Sequence, residues 1–280
     1  MPQLHHELLT AAGASPARWL LLTHGIFGSG GNWRSIARKL ARARPDVGCV
    51  LVDLRNHGRS PAPPGPHDLD ACAGDVDELV AQLAAAGHVV VAAAGHSFGG
   101  KVIAALRARR QRRASDGSVR QWWTLDSSPS ARPDAWAEPD NSVRAVLETL
   151  EALPATLASR AQFEAEIEGA GHAPSLAHWL ALSLEPDGDG VRLRLPLPAV
   201  REMLTHYYQT DLWASLREPA GGEVHVVIAA RSSTVSPADR EELRRAPTHL
   251  HAHLVDADHW LHIDAPDAVV ELFARHLPSA

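Results

Sequence analysis

Short apolar runs alternate with longer segments of helical periodicity along most of this 280-residue chain. Apolar runs typical of buried strands occupy residues 19–24, 49–54, 89–96, 121–126, 223–230 and 249–255, and residues 4–12 favour an opening antiparallel strand or pair of strands. Helical segments occupy residues 32–43, 69–86, 98–113, 237–246 and 265–277. Because strands that alternate with helices build a mostly parallel sheet with helices on both faces, the pattern predicts an α/β fold.

Residues 127–222 interrupt this alternation. Four helical segments are predicted there, at 142–153, 160–169, 174–184 and 198–216, together with a turn at 188–190 and a short strand at 191–195. We interpret residues 127–222 as a mainly helical cap inserted into a core that consists of residues 1–126 and 223–280. Such a cap would cover an active site, exclude water from it and shape a substrate pocket.

A candidate nucleophile lies where the strand at 89–96 meets the helix at 98–113. Residues 95–99 read Gly-His-Ser-Phe-Gly, a Gly-x-Ser-x-Gly motif with a strand before it and a helix after it. A serine in so tight a turn adopts a strained backbone, for which the neighbouring glycines leave room. The turn would lift the Ser97 hydroxyl clear of the sheet, so Ser97 is the predicted nucleophile. The alternative is a tight turn that merely contains a serine.

A glycine-rich turn follows the strand at 19–24. Residues 25–31 read Gly-Ile-Phe-Gly-Ser-Gly-Gly, and a turn of this kind lets backbone N–H groups approach a ligand closely. We predict that the N–H groups of Ile26 and Phe98 form an oxyanion hole beside the nucleophile. The alternative, a phosphate-binding loop, lacks both the Gly-x-Gly-x-x-Gly spacing and a following Gly-Lys-Ser/Thr.

The predicted base is one of 17 histidines and is chosen by its position. His259 lies in the loop between the last predicted strand and the last predicted helix, where we expect the base. His262, closer to the helix, is the reserve candidate. We interpret His249, His251 and His253 as edge-strand or half-buried side chains.

The predicted acid follows the strand at 121–126. Asp126 stands at the end of this strand, whereas the later strand at 223–230 ends in a serine-rich turn without a carboxylate. Asp239 comes too late and falls inside the next helix, but Asp239 or another nearby aspartate such as Asp258 remains the alternative. With Asp126 the order along the chain is Ser, Asp, His, as an α/β-hydrolase requires.

The histidine-rich segment near residue 251 also suggests a metallohydrolase. The usual signature is His-x-His-x-Asp-His, but here His251-x-His253 is followed by Asp256 and then by His259, so the spacing fails. We therefore expect neither a catalytic metal nor any cofactor.

Five motifs of the chain together point to a family. They read His-Gly-Ile-Phe-Gly-Ser from residue 24, Asp-Leu-Arg-Asn-His-Gly-Arg-Ser from residue 53, Gly-His-Ser-Phe-Gly-Gly-Lys from residue 95, Asp-x-Ser-Pro from residue 126 and His-Trp-Leu-His from residue 259. The chain resembles the α/β-hydrolases that comprise small bacterial acyl esterases and their mitochondrial abhydrolase-domain relatives. The resemblance implies a mostly parallel eight-stranded sheet flanked by helices with a helical cap, and an acid at Asp126. The sequence does not resemble the family at residues 131–220 or in the serine-rich turn at 231–236. The resemblance therefore does not define the substrate range.

These residues predict hydrolysis of a small-molecule carboxylic ester or thioester through an acyl-enzyme on the serine. A serine nucleophile excludes the dehalogenase and epoxide hydrolase chemistries of this fold, which use a carboxylate. The same triad could also perform C–C hydrolysis, a lyase step or perhydrolysis, because a fold does not determine one reaction. A non-catalytic ligand-binding homologue is the remaining alternative, although no triad member is missing.

Several aromatic side chains are candidates for a substrate pocket, although ordinary core packing also explains each of them. Trp136, Trp179 and Tyr207 lie in the predicted cap, while Phe27 and Trp260 lie beside the predicted oxyanion turn and base.

Composition narrows the partners and the compartment. With a net charge of −6 the chain lacks the overall basic character that would favour binding to nucleic acid. Its two cysteines are too few for a disulfide framework. The N-terminal residues lack the basic and apolar regions of a signal peptide, and no apolar run approaches the roughly 20 residues of a membrane helix. We expect a cytoplasmic enzyme without membrane contact, monomeric or a small homo-oligomer.

Overall fold

A computed structural model describes residues 3–113, 117–138 and 141–278. Its strands are β1 (His6–Leu9), β2 (Arg18–Thr23), β3 (Val47–Val52), β4 (Val89–His96), β5 (Gln121–Leu125), β6 (Leu184–Asp187), β7 (Gly190–Leu193), β8 (Glu223–Ala229) and β9 (Leu250–Val255). Seven of them form one sheet in the order β1-β3-β2-β4-β5-β8-β9, and β6 and β7 form a separate antiparallel hairpin. Within the large sheet β1 is antiparallel to β3, and every other neighbouring pair is parallel.

Helices cover both faces of the sheet and fill the segment between β5 and β8. They are α1 (Arg34–Ala43), α2 (Leu69–Ala85), α3 (Phe98–Arg112), α4 (Ser142–Ala152), α5 (Arg160–Gly169), α6 (Pro174–Leu180), α7 (Leu197–Gln209), α8 (Trp213–Arg217), α9 (Pro237–Arg244), α10 (Leu261–Asp264) and α11 (Pro266–His276). Within the described ranges, none of these helices is long and apolar enough to cross a membrane.

The strands are apolar because the sheet is buried on both faces. Successive β2 residues point to opposite sides, so Leu20 and Leu22 join the core beneath α1 and α11, while Leu21 joins the core beneath α2 and α3. All three leucines are inaccessible to solvent. This double burial produced the apolar runs that made the strands predictable.

The prediction of eight strands is wrong: the sheet has seven in the part of the chain that the structure describes. Residues 4–12 contribute only β1, because the chain turns at residues 12–13 and runs without strand pairing to β2. Gly13 has a positive φ of 74°, and Pro16 lacks the N–H that a ladder would need. A second strand of an opening pair therefore does not form.

Two helix predictions in residues 127–222 also need correction. The predicted helix at 198–216 is two helices, α7 and α8, because the backbone becomes extended at Thr210. The Asp211 carboxylate accepts the Trp213 N–H at 3.0 Å where α8 begins. The predicted helix at 174–184 ends at Leu180 as α6, and residues from Leu184 pair with β7 as the unpredicted strand β6. Pro186 within β6 is unsuited to a helix interior.

Candidate active site

Ser97 lies in the sharp turn between β4 and α3. Its φ of 52° and ψ of −118° are strained for a residue with a β-carbon. The turn is tied to the neighbouring strand because the Ser97 N–H donates to the Leu125 carbonyl at 2.9 Å. The residue is thus presented at the carboxyl end of the parallel strands.

Two glycines leave the space that this turn requires. A β-carbon on Gly95 would lie 2.3 Å from the carbonyl carbon of Gly99, and one on Gly99 would lie 2.4 Å from the His24 carbonyl oxygen. Both distances are far below van der Waals contact, so the spacing Gly-x-Ser-x-Gly follows from the close approach of β4, α3 and the residue after β2.

The structure brings Asp126 and His259 together from two different loops. Asp126 follows β5 and is wholly buried, and its Oδ2 lies 2.7 Å from His259 Nδ1. The other carboxylate oxygen, Oδ1, accepts the Ala229 N–H at 3.2 Å. This arrangement favours the His259 tautomer with a proton on Nδ1, which leaves Nε2 able to accept a proton.

The alternative acids lie elsewhere. The Asp239 carboxylate accepts hydrogen bonds from the Ser128 hydroxyl at 2.8 Å, from the Trp213 indole at 3.1 Å and from Ser130. Burial acts to raise the pKa of Asp239, but these hydrogen bonds outweigh it and hold the pKa below its ordinary value. Asp258 is exposed and lies 3.5 Å from the Arg231 guanidinium. Both aspartates are engaged away from the base.

The reserve base, His262, is buried at 7 % exposure, and neither ring nitrogen has a hydrogen-bond partner among the described residues. Burial, and next the neighbouring His259, lowers the pKa of His262 to about 4. Its ring lies edge-on to that of His96, with centroids 4.9 Å apart. His262 therefore forms part of the packing behind the base loop.

His96 supports the base loop from within the Gly-x-Ser-x-Gly motif. Its Nε2 lies 2.7 Å from the His259 carbonyl oxygen, to which it donates, and the two rings lie 4.6 Å apart. Burial, followed by repulsion from His259 and His262, lowers the pKa of His96 well below its usual range. A neutral His96 with its proton on Nε2 thus holds the His259 backbone.

Sequence reasoning missed Thr234. This residue lies in the serine-rich turn after β8, and its hydroxyl oxygen lies 3.1 Å from His259 Nδ1. The Thr234 N–H in turn donates to Ser232 Oγ at 3.1 Å, which shapes the turn. Only carboxylates were considered as partners of the base, and this turn contains none. A hydroxyl in the turn can also orient an imidazole.

The predicted oxyanion turn lies beside Ser97. The Gly28 N–H donates to the Gly25 carbonyl at 3.1 Å, which closes a tight turn with Ile26 and Phe27 in its middle. A β-carbon on Gly25 would lie 3.5 Å from Ser97 Cβ, so the two turns touch. The Phe98 N–H belongs to the first turn of α3, where helix N–H groups lack partners within the helix.

The motif from residue 53 holds the oxyanion turn in place. The Asp53 carboxylate accepts the Gly30 N–H at 2.7 Å and the Arg59 N–H at 2.9 Å. The next charged residue, Arg55, makes a two-pronged ion pair with Asp75 at 2.6 and 2.8 Å. These buried charges act on the scaffold around the site and do not contact the predicted triad.

Four of the five candidate pocket residues lie near the site. The rings of Trp179 and Trp260 meet edge to face at 4.6 Å, and Tyr207 lies 6.1 Å from the ring of Phe98. Phe27 and Trp179 line a cavity of about 280 Å³ beside the oxyanion turn.

The fifth candidate, Trp136, lies within the inserted segment. Its ring packs on Tyr208 at 5.6 Å and beneath the Arg201 guanidinium at 5.8 Å. Tyr208 in turn contacts Tyr207, so two tyrosine rings lie between Trp136 and the ring of Phe98.

One group of described side chains has the donor set of a metal site. The ligand atoms of Glu223, His225 and His251 all lie within 4.8 Å of one another. They lie on β8 and β9 near the amino ends of these strands, whereas the predicted triad lies at the carboxyl ends.

Comparisons with known proteins agree on one family. The model of the alpha/beta hydrolase fold family matches residues 18–266. The chain is 28% identical over 280 residues to the sn-1-specific diacylglycerol lipase ABHD11 of Mus musculus, covering 97% of this chain and 85% of the relative. It is 29% identical over 264 residues to the esterase YbfF of Escherichia coli strain K12, covering 92% of each.

A solved structure supports the same fold. The chain superposes on a marine microorganism esterase with a TM-score of 0.80 at 20% identity, covering 99% of this chain and 100% of the other.

Proposed function

The chain belongs to the α/β-hydrolase family, and on that premise we propose that it hydrolyses carboxylic esters or thioesters through an acyl-enzyme on Ser97. The observation that carries the proposal is the 2.7 Å hydrogen bond between His259 Nδ1 and the wholly buried Asp126 carboxylate, in loops that flank the Ser97 turn. The relatives named as a lipase and an esterase make an ester the first substrate class to test.

In the proposed first step, His259 Nε2 takes the proton from the Ser97 hydroxyl as its oxygen attacks the substrate carbonyl carbon. The imidazolium then gives this proton to the leaving alcohol or thiol as the acyl-enzyme forms. In the second step, His259 activates a water molecule that attacks the acyl carbon and releases the acid. The Asp126 carboxylate stabilises the imidazolium and maintains the tautomer in both steps.

Charge that develops on the carbonyl oxygen needs donors already in place. The proposed donors are the N–H groups of Ile26 and Phe98, in the two turns that touch beside Ser97. The hydrogen bonds from Gly30 and Arg59 to Asp53 brace the turn that contains Ile26. Preorganised donors of this kind are worth roughly 10²–10³ in kcat each.

We assign the segment 127–222 to a cap over this site. Trp179, from α6, meets Trp260 next to the base, and Tyr207, from α7, packs near Phe98 next to the nucleophile. Together with Phe27, these aromatic rings would surround an acyl group and limit access of water to the acyl-enzyme.

A fluorophosphonate probe tests the nucleophile, because it reacts with activated serines. We expect labelling of the wild-type protein and its loss, together with hydrolysis of p-nitrophenyl esters, in Ser97→Ala. The matched control is Ser233→Ala, which changes an exposed serine in the turn after β8 and should keep both. Labelling that persists in Ser97→Ala would refute the proposal.

The substrate class is tested with p-nitrophenyl esters and acyl-CoA thioesters of graded acyl length. A preference for one chain length in kcat/KM would define the acyl pocket. If the probe labels the protein but neither the esters nor the thioesters are hydrolysed, that result would favour C–C hydrolysis, lyase or perhydrolase chemistry by the same residues.

A further inference from the structure

A second cluster of chemically active side chains lies on the face of the sheet that α11 covers. Strands β8 and β9 are parallel, with His225 opposite His251. Since alternate residues of a strand share a face, Glu223 lies on the same side as His225, and His253 on the same side as His251. The alternation therefore gathers one carboxylate and three imidazoles on two adjacent strands.

One imidazole of this cluster has an unused buried nitrogen. His225 is only 1 % exposed, and its Nε2 has no hydrogen-bond partner among the described residues. Glu223 Oε2 lies 3.6 Å from this nitrogen, which is too far for a good hydrogen bond. A buried polar atom without a partner is costly, so this nitrogen needs an occupant.

The orientation of the His225 ring is set from behind. Its other nitrogen, Nδ1, lies 2.9 Å from His253 Nε2, and its plane stacks on Trp123 with centroids 3.9 Å apart and planes 8° apart. With the proton on Nδ1 donated to His253, the lone pair of Nε2 points toward the carboxylate. A histidine that binds a metal through one nitrogen commonly donates from the other in this way.

The carboxylate is held in a similar manner. The Gln121 side-chain amide, on the adjacent β5, donates to Glu223 Oε2 at 2.9 Å. The Glu223 side chain is exposed, so a metal can reach its carboxylate from solvent.

We propose that Glu223, His225 and His251 bind a divalent transition metal ion, with Zn²⁺ the best match to two imidazoles and one carboxylate. A water molecule would complete the tetrahedron. Ligand atoms around tetrahedral zinc lie about 3.3 Å apart, given Zn–N distances of about 2.0–2.1 Å. The present separations, all within 4.8 Å, would have to shorten to this value through rotation of the exposed Glu223 and the half-buried His251 side chains.

The site would be structural. It joins β9, the edge strand of the sheet, to β8, and β9 leads directly into the loop of His259. Its ligands lie near the amino ends of the strands, away from the predicted triad. Zinc should therefore raise the melting temperature without entering the hydrolytic reaction.

The test uses the full-length protein without an affinity tag, stripped with a chelator and titrated with ZnCl₂ by calorimetry. We expect one site, with zinc affinity at least about tenfold weaker in His251→Ala and in Glu223→Gln. The matched control is His249→Ala, because the His249 ring lies two residues away and instead hydrogen-bonds the Leu216 carbonyl. This control should bind zinc as the wild type does.

Co²⁺ supplies a readout that is independent of activity. The visible absorption of four-coordinate Co²⁺ should appear in the wild type and in His249→Ala, and should be lost in His251→Ala. Hydrolysis by the stripped wild type should be unchanged. Absence of zinc binding, or equal zinc affinity in the wild type, His251→Ala and Glu223→Gln, would overturn the proposal, since binding would then come from other surface histidines.

Discussion

At the scale of single residues, the environment of Asp126 is the most specific feature of the site. The residue has a positive φ of 43°, is wholly buried, and accepts one backbone N–H besides its contact with His259. A strained backbone and a buried carboxylate both cost stability. Their combination next to a histidine is what a positioned acid requires, and an ordinary loop-capping aspartate has no need of it.

We expect Asp126→Asn to fold and to lower kcat by roughly 10⁴-fold, because an amide in this position favours the wrong histidine tautomer. The steady-state rate on a p-nitrophenyl ester measures the loss. Asp239→Asn is the matched comparison: it should keep kcat within a few-fold, and it should lower the melting temperature because Asp239 accepts hydrogen bonds from Ser128 and Trp213. Full activity in Asp126→Asn, or a comparable loss in Asp239→Asn, would contradict this assignment.

Sequence reasoning at this scale predicts local geometry where a residue's neighbours along the chain determine it. The sharp turn at Ser97 follows from the glycines and the strand–helix context, and the structure has this turn. The contacts of Thr234 and His96 with His259 were not predicted, because they join segments far apart in the chain. A hydroxyl or an imidazole gives no local signal of such a partner.

At the scale of elements, helix α3 is joined to the inserted segment by buried cations. Lys101 donates to the carbonyl oxygens of Ser130 at 2.9 Å and Tyr207 at 2.6 Å. Six residues further along, the Arg107 guanidinium contacts the carbonyl oxygens of Ser215 and Glu218. The helix that begins directly after Ser97 thereby also holds α7 and α8.

The burial of Lys101 should make this junction dependent on pH. Burial, then the neighbouring Arg132, lowers the pKa of Lys101 to about 7 from a value of 10.5. Between these two pH values the unfolded chain binds a proton that the folded protein does not, so the free energy of unfolding rises with pH across this window. The rise is at most about 1.4 kcal/mol per pH unit.

Lys101→Met removes this titration and keeps the side-chain volume. We expect the stability of the wild type relative to Lys101→Met, measured by urea unfolding, to increase from pH 7 to pH 9. A difference that stays flat or falls over this range would show that Lys101 remains charged in the folded state.

The elements predicted correctly are those whose pattern reflects burial. Strands covered on both faces appear as apolar runs, and β4 and β8 were found with nearly correct limits. The hairpin of β6 and β7 was only half predicted, because its residues are mostly half-exposed and β6 contains a proline. The break between α7 and α8 lies at the extended Thr210, which helical periodicity over residues 198–216 does not reveal.

At the scale of the whole molecule, the motif order along the chain predicted the α/β-hydrolase fold, and the error of one strand arose at the sheet edge. An edge strand is paired on one side only, so its apolar pattern is weak and its limits depend on turns. The contacts of the inserted segment with the core were outside the reach of sequence reasoning, since they depend on carbonyl oxygens that any residue supplies.

The region around the site is also unusually rich in neutral histidines. The buried imidazoles of this region are His24, His57, His96 and His262. Burial is the largest cause of a lowered pKa in each, to about 3 for His57 and about 4 for His262. The folded protein therefore keeps these rings uncharged at pH values where the unfolded chain protonates them.

Acid should consequently destabilise the whole molecule well before its carboxylates titrate. Below a pH of about 6.5 these histidines bind protons in the unfolded state but not in the folded state. The free energy of unfolding therefore falls as the pH drops toward 4. Each histidine contributes up to about 1.4 kcal/mol per pH unit to this fall in the free energy of unfolding.

We expect His262→Met to reduce the slope of the free energy of unfolding against pH by the equivalent of up to one proton. The substitution should change the free energy of unfolding little at pH 7.5, because neither ring nitrogen of His262 has a hydrogen bond to lose. Urea unfolding of the wild type and of His262→Met at pH 7.5, 6 and 5, with a chelator present, measures how the free energy of unfolding of each protein depends on pH. Equal slopes in the wild type and in His262→Met would mean that His262 takes up its proton in the folded state as it does in the unfolded chain. That result would contradict a neutral His262 behind the His259 loop.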